Sequence, residues 1–281
     1  MSLLVRKSLL HGLIAGLVGL AAAEARADIF ADKNLEAAVR RYVFAKRDND
    51  MPLTEDDVKN LSTIEARGKK IKDLAGLEKC KSLAELKLQE NEIVDVAPLR
   101  DLKGIQLLDL AQNQIKDIGP LAGLTGLQYL KLTGNQVSDL APLAKLEKLS
   151  TLHLSKNRVK DLGPLAGLKK LGSLYLDGNE IEDLKPIAEL KNLSSLDLRG
   201  DKVADLSPIS AYTELRYLMV DNNKIEDLSP LIAMARKDLE KEKRFAPYWQ
   251  VYLTGNPVKE EQVAELRKVA KLVQTQKDEK K

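Results

Sequence analysis

Two adjacent stretches decide the fold: LQYLKLTGNQVSDLAPLAKLEK at residues 127–148 and LSTLHLSKNRVKDLGPLAGLKK at residues 149–170. Written one above the other, they share leucine at positions 1, 4, 6, 14, 17 and 20 of a 22-residue unit. They also share asparagine at position 9, aspartate at position 13 and proline at position 16. A sequence period of this length is typical of solenoid proteins, in which each unit forms one coil.

The same unit continues on both sides of this pair, from Leu61 to about Met234, without a gap. Its positions are called slots 1 to 22 below. The eight copies begin at Leu61, Leu83, Ile105, Leu127, Leu149, Leu171, Leu193 and Leu215. A displaced partial unit begins near Tyr248. Because one unit is too small to bury its own apolar residues, the stability must come from stacking of neighbouring units.

Slots 4 and 6 are apolar in every copy, and their side chains share one face of an extended segment because they lie two residues apart. Slots 3, 5 and 7 then point to the opposite face. Identical spacing places these segments side by side, which predicts a parallel β-sheet with one face in the core and one outward, concave face. Nine strands about 4.8 Å apart would make this sheet roughly 40 Å long.

The remainder of each unit predicts short turns on the convex side. Aspartate at slot 13 can accept hydrogen bonds from backbone N–H groups, and proline, usual at slot 16, fits the first turn of a short helix. We therefore expect 3-10 helical turns there. Slot 9 holds asparagines, whose amides can satisfy backbone groups of adjacent coils as a structural ladder. These asparagines are Asn91, Asn113, Asn135, Asn157, Asn179 and Asn223.

This pattern resembles the leucine-rich repeats of the bacterial internalin-like family, whose unit has the same NxIxDLxPLxxL core. The resemblance covers roughly residues 28–258. It implies an α/β fold: a right-handed curved solenoid that uses its concave parallel sheet to recognise proteins. The sorting motif, cell-wall repeats and immunoglobulin-like domain of the surface-anchored members are not found in the sequence, so host-cell invasion is not carried over from the family.

Two departures from the repeat predict local effects. Asp201 replaces asparagine at slot 9 of the seventh copy, and a carboxylate cannot donate as an amide does. We expect a weakened ladder there or a raised pKa of Asp201. The interval from Asn223 to Asn256 is 33 residues, and its extra stretch at about residues 235–247 predicts a charged helix ended by Pro247.

The N-terminal segment predicts export. Arg6 and Lys7 precede an apolar run over residues 8–23, and small residues stand at Ala25 and Ala27. This pattern is typical of a signal peptide over residues 1–27, cleaved between Ala27 and Asp28 to give a periplasmic or secreted protein. Two alternatives remain open: an uncleaved membrane anchor, and a cytosolic scaffold with an apolar N-terminal helix.

Caps are expected at both ends of the solenoid, which spans residues 61–258. Residues 28–60 form a helical N-terminal cap in this interpretation, with Leu35 and Val39 on the buried face of a helix over residues 32–46 and a capping box at residues 54–57. Residues 259–273 are expected to form a C-terminal capping helix, and residues 274–281 a disordered tail.

Composition argues against catalysis and nucleic-acid binding. The net charge is +3 and falls to +1 without residues 1–27, with no one-signed stripe for phosphates. Of two histidines, only His153 lies outside the signal segment, which leaves no histidine-based metal cluster or triad. Cys80, the single cysteine, fills an apolar slot and is expected to be buried and inert. We expect no enzyme, metal or cofactor.

A binding module is the remaining function class. Slot 5 varies in every copy, unlike the core slots, and together with slot 3 it brings aromatic side chains to the concave face. Aromatic residues are suited to anchoring a partner. The candidate partner-binding residues are Tyr129, Lys131, His153, Tyr175, Asp197, Tyr217, Met219, Trp249 and Tyr252. We expect a monomer that recognises a protein or peptide, without membrane contact after signal cleavage; a glycan or cell-envelope ligand is the alternative.

Overall fold

The computed structural model describes residues 28–241 and 243–275, which form one solenoid around a ten-stranded parallel sheet. The strands follow one another in chain order across the sheet, with each strand hydrogen-bonded to the next. They are β1 (Thr63–Glu65), β2 (Glu85–Lys87), β3 (Leu107–Asp109), β4 (Tyr129–Lys131), β5 (Thr151–His153), β6 (Ser173–Tyr175), β7 (Ser195–Asp197), β8 (Tyr217–Met219), β9 (Gln250–Tyr252) and β10 (Leu272–Gln274). The expected parallel sheet is confirmed, with one strand more than the repeat predicts.

The register of the sheet follows the repeat. Leu108 pairs with Leu130 and Leu130 with Leu152, so slot 4 of each coil lies beside slot 4 of the next. These three leucines have no exposed surface. Stacked apolar rungs of this kind form one continuous core from the N-terminal cap to the last coil. Truncating one such leucine to alanine costs about 2–5 kcal/mol in a close-packed core.

Short 3-10 helices connect most of the strands on the convex side. At each repeat unit the slot 13 aspartate opens the turn: Asp139 Oδ1 accepts from the N–H of Ala141 at 2.8 Å, and Asp161 Oδ1 from that of Gly163 at 2.7 Å. Proline stands in the first turn, as at Pro142. The 3-10 helices span Phe44–Lys46, Leu77–Lys79, Ala97–Leu99, Gly119–Gly123, Ala141–Leu143, Gly163–Leu165, Lys185–Ile187, Ser207–Ile209 and Ala246–Tyr248.

The slot 9 asparagines lie between the strand and the convex turn, and each bridges two coils. The amide of Asn135 donates to the carbonyls of Leu110 and Leu132, both at 2.9 Å, and its Oδ1 accepts from the N–H of Ile115 at 3.0 Å. Asn256 repeats this arrangement in the last coil, donating to Val220 at 2.7 Å. The ladder therefore continues across the insertion, although the sequence spacing changes there.

The N-terminal cap consists of helices α1 (Lys33–Arg40) and α2 (Glu55–Val58). Helix α1 begins at Asp32, whose carboxylate accepts from the N–H of Asn34 at 2.8 Å, and ends before the 3-10 helix at Phe44, so it is shorter than residues 32–46. Tyr42 covers the free edge of β1, because its hydroxyl accepts from the N–H of Glu65 at 2.9 Å.

The C-terminal end differs from the expectation in two ways. Helix α3 (Ser229–Glu240) begins earlier than the insertion and ends before Pro247, which lies in the next 3-10 helix. Helix α4 (Glu260–Arg267) is followed by β10, so residues 268–273 do not extend the helix as predicted, and Gln274 belongs to a strand. The extra strand arises because backbone groups of the last coil require a partner: the N–H of Leu253 donates to the carbonyl of Gln274 at 2.9 Å.

Among residues 28–241 and 243–275, no helix has the length and apolar character needed to span a membrane. The predicted signal peptide at residues 1–27 and most of the predicted tail lie outside the described residues.

Candidate binding face

The concave face is the side of the sheet that faces away from the core, and slots 3, 5 and 7 of each coil form it. Register places the slot 5 residues of neighbouring coils next to each other, so they form one row across the sheet. From β4 to β9 this row reads Lys131, His153, Tyr175, Asp197, Met219 and Tyr252. The predicted candidate residues of slots 3 and 5 therefore do lie together on one face.

The N-terminal part of this face, from β1 to β4, has balanced charges. Lys87 lies between two carboxylates, 2.7 Å from that of Glu65 and 2.5 Å from that of Glu85. Arg67 forms an ion pair with Glu90. Ion pairs that are this exposed add little to stability. Over β1 to β4 as a whole, slots 3, 5 and 7 hold three carboxylates and three cationic groups, so their formal charges cancel.

Three rings stack in the middle of the concave face. The imidazole of His153 lies flat against the phenol of Tyr175, with centroids 4.3 Å apart and planes 5° apart. Tyr129 meets the other side of His153 at 5.4 Å and 47°. Partial burial, with the positive charge of Lys131 in addition, lowers the pKa of His153. The imidazole is thus neutral at pH 7, and the three rings form an apolar platform with polar edges.

The C-terminal part of the face carries an exposed tyrosine, Tyr217, and the half-buried side chains of Met219 and Tyr252. Tyr217 on β8 is 43% exposed. Met219, two residues later, pairs in register with Tyr252 on β9, whose hydroxyl donates to Gln250 Oε1 at 3.1 Å. Tyrosine offers a large contact area at low entropic cost, and methionine adapts its shape to a partner, so both are favoured at binding surfaces.

Asp197 is not available to a partner as predicted, because it is only 1% exposed. Arg199 folds over it, with Nε 2.9 Å from Oδ1 and Nη2 2.6 Å from Oδ2. Arg199 itself is the exposed group at this position. Sequence analysis missed Arg199 and its neighbours Asp177 and Asp221, although all three occupy slot 7 and the strand alternation places that slot on the concave face.

Trp249 was also wrongly assigned to the binding surface, since it has no exposed surface. Its ring packs edge-on against Phe245 with centroids 5.4 Å apart, and its carbonyl accepts from the N–H of Leu272 on β10. The insertion and the tenth strand, neither of which follows the repeat, enclose this residue. In regular coils the same slot is partly or fully exposed, as at Gln128 and Ser150.

Two buried titratable groups lie off this face. Burial raises the pKa of Asp201 to about 7; its Oδ1 accepts from the N–H of Ile181 at 3.0 Å, whereas Oδ2 has no partner. Burial also raises the pKa of Cys80 to about 12, so its thiol is not a nucleophile at neutral pH. No group of three or more His, Cys, Asp or Glu side chains suited to a metal ion occurs within the part of the chain described.

Comparison with known proteins places this geometry in a family. Residues 103–145 and 147–189 each match the family of Leucine Rich repeats (2 copies). The solved structure of internalin C2 from Listeria monocytogenes shares 33% sequence identity over 72% of this chain and 89% of its own, with a TM-score of 0.69. The chain belongs to the internalin-like leucine-rich-repeat family.

More distant structures share the fold of this internalin-like protein. Internalin F from the same bacterium is 24% identical over 88% of this chain and 90% of its own, with a TM-score of 0.57. The ectodomain of the receptor kinase GASSHO1/SCHENGEN3 from Arabidopsis thaliana, solved in complex with CASPARIAN STRIP INTEGRITY FACTOR 2, is 24% identical over 66% of this chain and 23% of its own, with a TM-score of 0.57. A search of curated protein sequences finds no significant match.

Proposed function

We propose that this internalin-like protein is a non-enzymatic binding module that recognises a protein or peptide through its concave face. The observation that carries the proposal is the row from His153 to Tyr252, where three rings and a thioether stand on one parallel sheet on either side of Asp197. A rigid sheet holds its side chains with little entropic cost on binding. The internalin relationship and the plant receptor solved with its protein ligand are consistent with this use of the fold.

A photocrosslinking experiment tests this function. A benzophenone amino acid is placed at Tyr217 on the concave face or, as a matched control, at the exposed Lys145 on the convex side. Each protein is irradiated in a cell-envelope extract of the source organism, before and after protease treatment of the extract. We expect an adduct from position 217 alone, lost after protease treatment. An adduct that survives the protease indicates a glycan ligand, and equal adducts from both positions contradict a concave binding face.

We also propose that the chain is exported, on the basis of the basic residues, the apolar run and the small residues of the first 27 positions. The prediction is that protein isolated from the source organism begins at Asp28 and is found in the periplasm or the medium. N-terminal sequencing is the measurement. An intact Met1 on soluble protein would favour the cytosolic scaffold, and an intact Met1 on membrane-bound protein the uncleaved anchor.

A further inference from the structure

The charge of the concave face changes along the solenoid. From β1 to β4 its slots hold three carboxylates and three cationic groups, which balance. From β6 to β9 the same slots hold the carboxylates of Asp177, Asp197 and Asp221 and a single cation, Arg199. Two negative charges therefore remain uncompensated beside the aromatic row, on the part of the face where the side chains are most suited to contact a partner.

Arg199 shows which chemical group these carboxylates attract. Its guanidinium makes two hydrogen bonds to Asp197, and the carboxylates of Asp197, Asp177 and Asp221 together raise the pKa of Arg199. Asp221 is half-buried, and burial raises its pKa, although its carboxylate accepts from the N–H of Thr254 at 2.9 Å. Arg199 lies between Asp177 and Asp221 in slot 7, so one cation faces three carboxylates. A second cation beside Asp177 or Asp221 would reduce the repulsion among these like charges.

The ring stack supplies the second requirement, an aromatic face beside the carboxylates. His153 on β5 covers one face of Tyr175, and the two rings are parallel. The other face of Tyr175 is therefore directed towards β7, where the guanidinium of Arg199 covers the buried Asp197. Slot 3 between Tyr129 and Tyr217 holds the small side chains of Thr151, Ser173 and Ser195. Further guanidinium or ammonium groups are attracted to this part of the face, because aromatic rings and carboxylates both attract cations.

We propose that the concave face from β6 to β9 binds a positively charged segment of the partner protein, with an arginine or lysine side chain beside the carboxylate of Asp177 or Asp221, on either side of Arg199. This inference rests on the proposed function and adds the chemistry of the ligand. An acidic segment or an anionic membrane surface is disfavoured, because it would meet two uncompensated carboxylates. The segment crosses the strands, since the aromatic row and the carboxylates both run across the sheet.

The test uses fluorescein-labelled decapeptides of alternating glycine with arginine, lysine or glutamate, titrated with the mature protein and followed by fluorescence anisotropy at low and physiological salt. The variant D177N/D221N removes both uncompensated charges, while an asparagine at position 221 can still accept from Thr254. The matched control E147Q/E226Q removes two exposed carboxylates that lie outside slots 3, 5 and 7. Circular dichroism and the thermal midpoint of each variant establish that it is folded.

We expect the arginine and lysine peptides to bind the wild type and to weaken as salt rises. Their affinity should fall about tenfold in D177N/D221N and stay unchanged in E147Q/E226Q. Equal binding by wild type and D177N/D221N, equal losses in both variants, preference for the glutamate peptide, or no binding by the wild type would each overturn the proposal. The proposed function is tested separately by crosslinking at position 217. If a protein is crosslinked there but the peptides give one of these contrary results, the proposed function stands and only the cationic nature of the ligand is refuted.

Discussion

Replacing Asp201 by asparagine should stabilise the protein, and by more at pH 8 than at pH 5. Wild-type Oδ2 is buried without a partner, and the asparagine amide can donate in its place to the carbonyls of adjacent coils, as in the other rungs. The asparagine also removes a buried carboxyl group, whose ionisation destabilises the folded protein. The measurement is the thermal midpoint and the free energy of unfolding of D201N and wild type across this pH range.

The sign of the pH dependence follows from the raised pKa. Burial raises the pKa of Asp201 from 3.8 in the unfolded chain to about 7 in the folded protein, so the folded state holds an extra proton between these values. The stability that this proton provides is complete below the unfolded pKa and is lost as the pH rises through the folded pKa. Each unit of difference corresponds to about 1.4 kcal/mol. We therefore expect the advantage of D201N to be about 2–3 kcal/mol larger at pH 8 than at pH 5, since about two of these units lie in that pH range.

A reciprocal variant serves as the matched control. Asn157 occupies the equivalent rung two coils earlier, where its amide donates to Leu132 and Leu154, both at 2.9 Å. N157D should create a second buried carboxyl and lose stability, increasingly so above the ordinary pKa of aspartate. An unchanged or lower midpoint of D201N at pH 8, or a gain that does not vary with pH, would contradict this account of the ladder.

The regular part of the molecule could be predicted from sequence because each slot meets the same environment in every coil. The fourth coil shows this: Leu130 fills an apolar rung, Asn135 bridges two coils and Asp139 opens the convex turn, all as the repeat predicts. The period supplies the long-range register that a single coil lacks, and stacking neighbours bury the apolar face.

The ends and the binding face could not be predicted in the same way. Trp249 is buried by an insertion and a tenth strand. Each of these elements occurs once, so the repeat pattern cannot predict where it lies. Asp197 occupies an outward slot, but its exposure depends on the conformation of Arg199 two residues later. Slot position fixes the direction of a side chain from the sheet, whereas its accessibility depends on pairs of neighbours that differ from coil to coil.

In the proposed function, aromatic side chains on the concave face anchor the partner. Replacing Tyr175, Tyr217 and Tyr252 together by alanine should therefore weaken binding at least about a hundredfold, since truncating a central anchor often costs 2 kcal/mol or more. None of the three contributes to the apolar rungs of the core, so the far-UV circular dichroism should not change. F44A/Y248A is the matched control, because it removes two exposed aromatic rings outside the sheet.

The most direct measurement is the dissociation constant of these two variants and the wild type for the protein crosslinked at position 217, by surface plasmon resonance on folded, mature protein. We expect the triple-tyrosine variant to lose binding and F44A/Y248A to bind as the wild type does. Wild-type affinity in the triple-tyrosine variant would show that the partner is held elsewhere on the molecule.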